Sequence, residues 1–331
     1  MVIAFPQKPS KHGGPGSFQI RFEKELRQRD WDIVYPEDNI VPNVVLILGG
    51  TKKIQWLWSL KKKNIPIYFR LGGINWLYKH KGLSKKERWV HDFRLKLTPF
   101  VQSYFGSGII YQSNFAKEWL IKTKQSTIHR TSTIIYNGVD TSMFIPHNNK
   151  TGDKSLLCVE GHLDYTPYAI DLLNYLQKEL IEKSDFKSLK LYGGFEDPKN
   201  RDKLLPEIDY RGKAKRDEMP KVYKDSVFLS LDINATCPNT VIEAMSSGLP
   251  VIGFDTGALK ELIGEEAGIL TPYGSNPWLL KNPNLKSLKT DANKVLHNYK
   301  HFSLNARKKA VDKFDFRDVV NQYITFILNE V

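Results

Sequence analysis

The segment Cys237–Ile252 holds the residues with the clearest capacity for chemistry. It predicts a short helix that has Asn239 as its N-cap and ends at Gly248, followed by a strand. Glu243 would then lie about one turn into the helix, where its carboxylate can accept two hydrogen bonds from a vicinal diol such as a ribose. The N–H groups at the helix start, near Asn239 and Thr240, can bind a phosphate. The same position also suits a solvated glutamate that the helix dipole favours.

Two glycine-containing turns offer further anion sites. Asp255–Glu261 is typical of a strand end, a glycine turn and a helix start. Gly13–Ser17 follows the first predicted strand, and its glycines allow close approach to an anion or a sugar hydroxyl, although a simple connector has the same composition. Asp30-Trp31-Asp32 fits a D-x-D pattern for a divalent cation, but its place between a helix and a strand favours a solvated turn. We therefore expect no metal site.

The elements that must position these residues alternate along both halves of the chain. Short apolar runs and helix-period segments predict an α/β protein with two parallel, doubly wound sheets, because parallel strands need helical crossovers. Ligands then bind beyond the carboxyl ends of the strands, and the cleft between the two domains is the expected site. The predicted strands are Val2–Phe5, Val44–Leu48, Ile65–Phe69, Gly108–Tyr111, Thr133–Tyr136, Leu156–Val159, Leu189–Tyr192, Val227–Leu231 and Pro250–Phe254. The predicted helices are Phe18–Leu26, Phe115–Ile121, Ala169–Leu180, Glu218–Lys224 and Thr240–Ser247.

The length and composition of the chain limit the number of domains and the class of protein. A chain of 331 residues predicts about two domains, and 41% hydrophobic with 26% charged residues excludes intrinsic disorder. No apolar run reaches the roughly 18 residues of a membrane span, and the first residues lack the apolar core of a signal peptide, so we expect a cytoplasmic protein. Cys158 and Cys237 cannot build a disulfide framework and belong to no ligand cluster, which argues against structural zinc.

The net charge of +13 is concentrated in one half of the chain. Residues 1–150 contain 24 Lys and Arg against 10 Asp and Glu, whereas residues 151–331 contain 25 against 26. Lys52–Lys63 and Asn75–Trp89, the second in an expected mobile loop, combine cations with aromatic side chains, the composition of a helix at an anionic membrane surface. Three alternatives stay open: a lysine-rich soluble surface, a crossover helix that buries its aromatic residues on the sheet, and a nucleic-acid site.

Several motifs in sequence order resemble glycosyltransferase family 4. They are Asn137-Gly138-Val139-Asp140 with Phe144, Glu243-Ala244-Met245 with Gly248-Leu249-Pro250-Val251-Ile252, and Thr256-Gly257-Ala258 with Glu261. The early glycine loop, Tyr111-Gln112-Ser113 and Phe314–Leu328 extend the resemblance almost from end to end. It implies the GT-B fold: two Rossmann-like doubly wound domains that face each other across a cleft, with a C-terminal helix returning to the first. The implied domains are a basic acceptor domain at 1–147, a donor domain at 148–312 and the returning helix at 313–331.

The resemblance also implies a donor site. Glu243 would bind the ribose hydroxyls, Pro238, Asn239 and Thr240 would lie near the diphosphate, and Thr256, Gly257 and Ala258 near the sugar-phosphate end. Arg211, Gly212 and Lys213 would flank the base. Gly14 would approach the donor phosphate from the first domain, and Gly161 would line the site beside His162. Arg70 and His162 are the implied catalytic cations.

Three positions depart from the family pattern. Ala235 stands where members carry an acidic residue that holds the transferred sugar, and His162 and Pro167 stand where they carry the diphosphate-binding Arg and Lys. Negative charge on the leaving diphosphate must then be stabilised by helix starts, or by His162 or other cations such as Arg70, Lys213 and Arg216. In this family the leaving phosphate is thought to take the acceptor's proton, so no separate base is expected.

The resemblance therefore implies a retaining transferase of hexose type. It would move a sugar from a UDP- or GDP-sugar to a glycan or lipid-linked acceptor, as a cytoplasmic and peripheral membrane protein, without a cofactor. Two alternatives remain: a GT-B glycosyltransferase that acts on DNA, and a degenerate sugar-nucleotide binder that has lost catalysis. A dinucleotide dehydrogenase is disfavoured because the first β-α-β unit lacks the glycine fingerprint and its acidic ribose partner.

Overall fold

The computed structural model describes residues 1–10, 14–73, 76–80, 84–126, 131–147, 154–224 and 226–329. The chain forms two compact units, each built on one parallel sheet of six strands. The first unit comprises residues 1–136 and 317–331, and the second comprises residues 137–316. Gly13 and residues 148–153, at the start of the implied donor domain, lie outside the described residues. None of the described helices is long and apolar enough to cross a membrane.

The first unit follows the predicted rhythm of strands and helices. Its sheet has the order β2-β1-β3-β4-β5-β6, parallel throughout. The inner strands are near-continuous apolar runs because helices cover both faces of a parallel sheet. The strands are β1 (Val2–Ala4), β2 (Asp32–Val34), β3 (Val44–Leu48), β4 (Ile67–Leu71), β5 (Gly108–Tyr111) and β6 (Ser132–Ile134). The helices before the second unit are α1 (Gly14–Arg27), α2 (Ile54–Lys61), α3 (Lys85–Phe105) and α4 (Asn114–Lys122), with 3₁₀ turns at Pro36–Asp38 and Trp76–Lys79.

The second unit repeats the pattern with the strand order β12-β11-β10-β7-β8-β9. Its strands are β7 (Ser155–His162), β8 (Ser188–Gly194), β9 (Asp209–Tyr210), β10 (Ser226–Leu229), β11 (Val251–Phe254) and β12 (Gly268–Thr271). Its helices are α5 (Ala169–Leu176), which continues as a π-turn through Gln177–Ile181, α6 (Met219–Val222), α7 (Asn239–Ser246), α8 (Leu259–Ile263), α9 (Leu285–His297) and α10 (Tyr299–Phe314). Short 3₁₀ helices occupy Pro198–Lys203 and Pro277–Leu279.

The last helix, α11 (Phe316–Leu328), packs on the first sheet. The Tyr68 hydroxyl on β4 donates to the Ile327 carbonyl at 3.4 Å, and the Tyr68 ring meets Phe326 edge-on at 5.6 Å. The prediction of a C-terminal helix that returns to the first domain is therefore confirmed, together with the α/β fold class.

The unit boundary falls after Tyr136, eleven residues before the predicted one. Val139 N donates to the Phe314 carbonyl at 2.8 Å, and Phe316 N donates to the Val139 carbonyl at 2.9 Å. Arg307 donates to the carbonyls of Thr141 and Phe144 at 3.0 and 2.7 Å. These bonds hold residues 137–147 in the second unit, although the sequence placed them at the end of the first.

Candidate functional site

The strand order of the second sheet reverses between β7 and β10, which pair although two strands, β8 and β9, and the helices around them separate the two in the chain. Strands to one side of this pair are β8 and β9, and those to the other side are β11 and β12. Ligands of doubly wound sheets bind outside the carboxyl ends of the strands at such a switch point. The segments after β7, β10 and β11 therefore form the candidate site.

The helix that leaves this edge is α7, and its start carries no side-chain cap. Pro238, in extended conformation, is its N-cap, so the prediction of Asn239 as N-cap is wrong. Helical geometry begins at Asn239, since Pro238 is extended and Cys237 before it is bonded to Asn137. The Asn239 Oδ1 atom is buried and has no hydrogen-bond partner among the described residues. The amides of Asn239 and Thr240 thus lie at a helix start that can bind an anion.

Asn137 fixes the approach to this helix. Its Nδ2 donates to the Cys237 carbonyl at 2.7 Å, and its backbone N donates to Cys237 Sγ at 3.2 Å. Asn137 is 7% exposed, so the bonds are shielded from water. The motif that contains Asn137 was noticed in the sequence, but its partner was not, because Asn137 and Cys237 are 100 residues apart.

Glu243 lies on α7 with its side chain partly buried. The Tyr223 hydroxyl donates to its Oε2 at 3.1 Å. The Tyr223 ring is fully buried and meets Phe144 and Phe228 at centroid distances of 5.8 and 5.9 Å. Burial, with a further contribution from the Glu243 charge, raises the pKa of Tyr223 well above its ordinary value, so the hydroxyl stays a donor at neutral pH. Tyr223, which sequence reasoning missed, therefore holds the carboxylate in a fixed position.

Thr256, Gly257 and Ala258 follow β11 and bind the loop that follows β10. Ala258 N donates to the Ala235 carbonyl at 2.8 Å, and Thr256 Oγ1 accepts from Asn234 N at 3.3 Å. Gly257 has φ +63°, and a Cβ placed on it would lie 2.5 Å from Ala235 O and 2.6 Å from Ala235 N. The three residues thus fix the loop that carries Ala235, and Gly257 permits the close approach of the two backbones.

His162 and Lys213 converge on Gly194. His162 pairs with Gly194 at the ends of β7 and β8, and a Cβ on Gly194 would lie 2.9 Å from Lys213 Nζ. His162, Lys213 and the neighbouring Gly161 are exposed at this edge. These groups place two potential cations beside the switch point: His162 at one of the positions that depart from the family pattern, and Lys213 at a position outside that pattern.

Arg211 and Gly212 are less available than Lys213 to contact a nucleotide base. Arg211 is exposed, but its guanidinium pairs with Asp209 through Nε at 2.6 Å. Gly212 has φ +72°, and its carbonyl accepts from Gly193 N at 2.9 Å. The stretch thus returns to β8 and brings Lys213, rather than Arg211, to the strand ends.

A pair of carboxyl groups lies at the switch point itself and was not predicted. Glu160 Oε1, on β7, accepts from Leu231 N at 3.3 Å, and Asp232 follows in the loop after β10. Burial and the nearby Asp232 charge raise the pKa of Glu160 well above its ordinary value. Burial raises the pKa of Asp232 to about 6. No local sequence signal joins these two acids, because only the β7–β10 pairing brings them together.

Arg70 lies in the first unit and is 3% exposed. Its Nε donates to the Tyr323 hydroxyl at 2.8 Å, and its guanidinium lies 3.9 Å from the centroid of the Phe18 ring. With the side-chain amide of Gln112 oriented so that its oxygen faces Arg70, Gln112 Oε1 accepts from Arg70 Nη1 at 2.7 Å and from Arg70 Nη2 at 3.0 Å. Arg70 was predicted to face a sugar or phosphate, but these contacts make it a residue that joins β4, α1, β5 and α11.

Two further sequence features, Gly14 and Asp30-Trp31-Asp32, lie at an ordinary helix start and at a turn before a strand. Gly14 begins α1, is exposed, and would accept a Cβ without contact within 4 Å to the part of the chain that the structure describes. In Asp30-Trp31-Asp32, Asp30 has φ +57°, Trp31 is 8% exposed, and Asp32 pairs with Val2 in the sheet. Within the described ranges no three His, Cys, Asp or Glu residues are grouped as a metal site would require.

A family of known proteins matches the part of the chain that forms this edge. The sequence model of the family described as "Glycosyl transferases group 1" matches residues 155–282, from β7 through α8 and β12. This match supports a glycosyltransferase. No curated protein sequence matches the chain significantly.

Solved structures of glycosyltransferase type share the fold over the whole chain. Sucrose-phosphate synthase from Thermosynechococcus elongatus is 14% identical with a TM-score of 0.73, covering 99% of this chain and 98% of its own. HepE from Anabaena in complex with UDP-glucose is 16% identical with a TM-score of 0.70, covering 100% of both chains. A glycosyltransferase from Rickettsia africae is 15% identical with a TM-score of 0.72, covering 99% of this chain and 98% of its own. At these identities the likeness establishes the GT-B fold.

Proposed function

We propose that the protein is a retaining glycosyltransferase that moves a hexose-type sugar from a UDP- or GDP-sugar to a glycan or lipid-linked acceptor. One observation carries the proposal: Tyr223 holds the Glu243 carboxylate about one turn beyond the uncapped start of α7. A nucleoside diphosphate presents a ribose diol and a diphosphate in one molecule. A fixed carboxylate beside unpaired helix amides recognises both groups.

The roles follow from the chemistry of each group. Glu243 accepts hydrogen bonds from the two ribose hydroxyls, and the amides of Asn239 and Thr240 bind the diphosphate. Thr256, Gly257 and Ala258 hold the loop around Ala235 against the sugar-phosphate end of the donor. The resulting site orients the donor before reaction, which lowers the entropic part of the barrier.

Charge on the leaving diphosphate needs a positive partner that is already in place. The candidates in the second unit are Lys213, whose side chain lies at Gly194, and His162, whose backbone pairs with Gly194 at the strand ends. The acceptor hydroxyl would attack from the side on which the diphosphate leaves and would pass its proton to the leaving phosphate, which retains the anomeric configuration. We expect no metal ion to take part.

Of the two nucleotides we favour uridine diphosphate. The HepE structure, similar over the whole chain, is described as a complex with UDP-glucose, and others of the same protein as complexes with UDP. The basic first half of the chain favours an acceptor that carries or accompanies negative charge.

The proposal is tested by thermal shift and calorimetric titration of the full chain with UDP, GDP, ADP and their sugars. One nucleotide should raise the Tm of the wild type, and Glu243→Ala should weaken its binding by about 10- to 100-fold, the loss of about 1.5–3 kcal/mol from charge-assisted hydrogen bonds. Glu265→Ala, an exposed glutamate in the same unit, is the matched control and should bind like the wild type.

Equal binding by wild type and Glu243→Ala would show that Glu243 does not contact the ribose. Donor hydrolysis and transfer to a panel of acceptors are then measured with the nucleotide that binds. Tight nucleotide binding without hydrolysis or transfer would instead support a binder that has lost catalysis, the outcome that Ala235, His162 and Pro167 make worth testing.

A further inference from the structure

Helix α3 presents an apolar stripe to solvent. Trp89, Leu97, Phe100 and Tyr104 are 66%, 43%, 64% and 37% exposed. At about 100° per residue, their spacing of 8, 3 and 4 positions keeps all four within an arc of about 80° on one side of the helix. The stripe runs for about 22 Å along the helix axis, since each residue adds 1.5 Å. Large side chains this exposed and this aligned mark an interaction surface.

Helix α2 adds Trp58 to the stripe. The Trp58 ring lies 5.3 Å from that of Tyr104, which stacks on Phe100 at 6.2 Å. The other side of α2 is buried, because Leu57 and Leu60 belong to the core of the first unit. Trp58 is 45% exposed, so the sheet holds α2 while this side chain faces outwards. We call the set Trp58, Trp89, Leu97, Phe100 and Tyr104 the aromatic face.

Cations border the aromatic face at both ends. Lys61 Nζ lies 3.8 Å from the centroid of the Tyr104 ring and donates to the Tyr104 carbonyl. Lys62 and Lys63 follow on the exposed end of α2. Lys85, Lys86 and Arg88 are exposed on the first turn of α3, where the acidic neighbours are Glu87, which accepts from Ser84 in a capping box, and Asp92 one turn further along. The border therefore carries a clear excess of positive charge.

We infer that the aromatic face docks on an anionic lipid bilayer. Trp and Tyr favour the membrane–water interface, where the ring is buried and its polar edge stays hydrated. Lysines close to the surface add attraction to anionic headgroups. A helix with one apolar side and cations beside it lies in the plane of the interface, in keeping with the length of the stripe. The inference goes beyond donor binding and concerns the first unit alone.

This face differs from the surface expected from the sequence. Lys52–Lys63 has the composition of a helix at an anionic membrane surface, yet Leu57 and Leu60 are in the core, and Trp58 and the lysines are its exposed aromatic and charged side chains. Trp76 and Leu77, expected in a mobile loop, are buried in a 3₁₀ turn, while residues 75 and 81–83 lie outside the described residues. The exposed stripe instead follows α3 beyond Trp89, where no lipid contact was predicted.

The experiment is co-sedimentation of the full chain with vesicles of phosphatidylcholine alone and of phosphatidylcholine with about one third phosphatidylglycerol. The wild type should partition at least tenfold more strongly onto the anionic vesicles. Trp89→Ser/Phe100→Ser should lose at least tenfold in partitioning, whereas the control Leu279→Ser/Leu304→Ser, two exposed leucines of the second unit, should match the wild type. Lys62→Gln/Lys63→Gln should also weaken binding about tenfold, and the control Lys281→Gln/Lys286→Gln should not.

Three results would overturn the inference. The first is equal partitioning of wild type and Trp89→Ser/Phe100→Ser in proteins of equal Tm. The second is concentration-dependent dimerisation, abolished by the same variant, without vesicle binding, which would make a second copy the occupant. The third is salt-dependent binding of duplex DNA that the variant loses while vesicle binding is absent. Nucleotide binding to the second unit is measured in parallel and should be unchanged, so a failure here is separate from a failure of the donor site.

Discussion

Three glycines that the resemblance assigned to the donor site differ sharply in what a methyl group would meet. Gly161 has an ordinary φ, and a Cβ there would have no atom within 4 Å. Gly212 has φ +72° and also has open space. Gly257 has φ +63°, and its Cβ would lie within 2.5–2.8 Å of backbone atoms of Asn234 and Ala235. Replacement of each by alanine therefore separates backbone strain from steric overlap.

The expected losses in the free energy of unfolding follow from these surroundings. Gly161→Ala should change it by no more than about 0.5 kcal/mol. Gly212→Ala should cost about 1 kcal/mol, because a left-handed conformation is unfavourable for alanine by about 1–2 kcal/mol and the unfolded chain becomes less flexible. Gly257→Ala should cost about 2–4 kcal/mol, since overpacking of about 1–3 kcal/mol is added to the strain and the neighbouring atoms are backbone.

The assay is urea unfolding followed by far-UV circular dichroism, with UDP titrations of each folded variant. If the two units unfold separately, only one transition should move, because all three glycines lie in the second unit. Gly257→Ala should also weaken nucleotide binding, since the Asn234–Ala235 loop must shift. Equal stabilities for Gly257→Ala and Gly212→Ala would refute the claim that the loops after β10 and β11 are held in tight backbone contact.

Two further predictions concern buried charge. Asp232 binds its proton more tightly in the folded state, so the free energy of unfolding should fall as pH rises from about 4 to beyond 6. Asp232→Asn should reduce this slope, with the part due to buried Glu160 remaining, and should gain up to about 3 kcal/mol on the wild type by pH 8. Urea titrations at pH 5, 7 and 8 measure it, and parallel pH profiles would contradict it. Arg70→Met should lose about 2–4 kcal/mol of stability, and Tyr323→Phe about 1 kcal/mol, with UDP affinity unchanged in both. Loss of UDP binding by a folded Arg70→Met would instead make Arg70 a ligand contact.

The sequence predicted the inner strands well because strands that are buried on both faces have an apolar composition. Val44–Leu48 and Gly108–Tyr111 have the predicted bounds, since both faces of these strands are covered and every position is apolar or small. The strands β2, β9 and β12 were missed. All three lie at sheet edges, where one side is unpaired and the composition is mixed, so no continuous apolar run marks them.

In the candidate site, too, local features were predicted from the sequence and contacts between distant residues were not. The position of Glu243 on a short helix followed from local signals, and α7 differs from the prediction by one residue at each end. The groups that fix or surround it did not follow, because Tyr223, Asn137 and the Glu160–Asp232 pair become neighbours only through the strand order. Arg70 shows the limit most clearly: the resemblance implied a catalytic cation, whereas packing surrounds the guanidinium with protein groups.

By itself the sequence determined the alternation of strands and helices, the excess of charge in the first half and the helix on which Glu243 lies, because each depends on residues that are close in the chain. Only the tertiary structure decided which acids share the switch point, which glycine cannot bear a methyl group and which side of α3 remains in solvent. Those depend on the elements that pack against a residue, and a periodic pattern gives the side of a helix without naming what covers it.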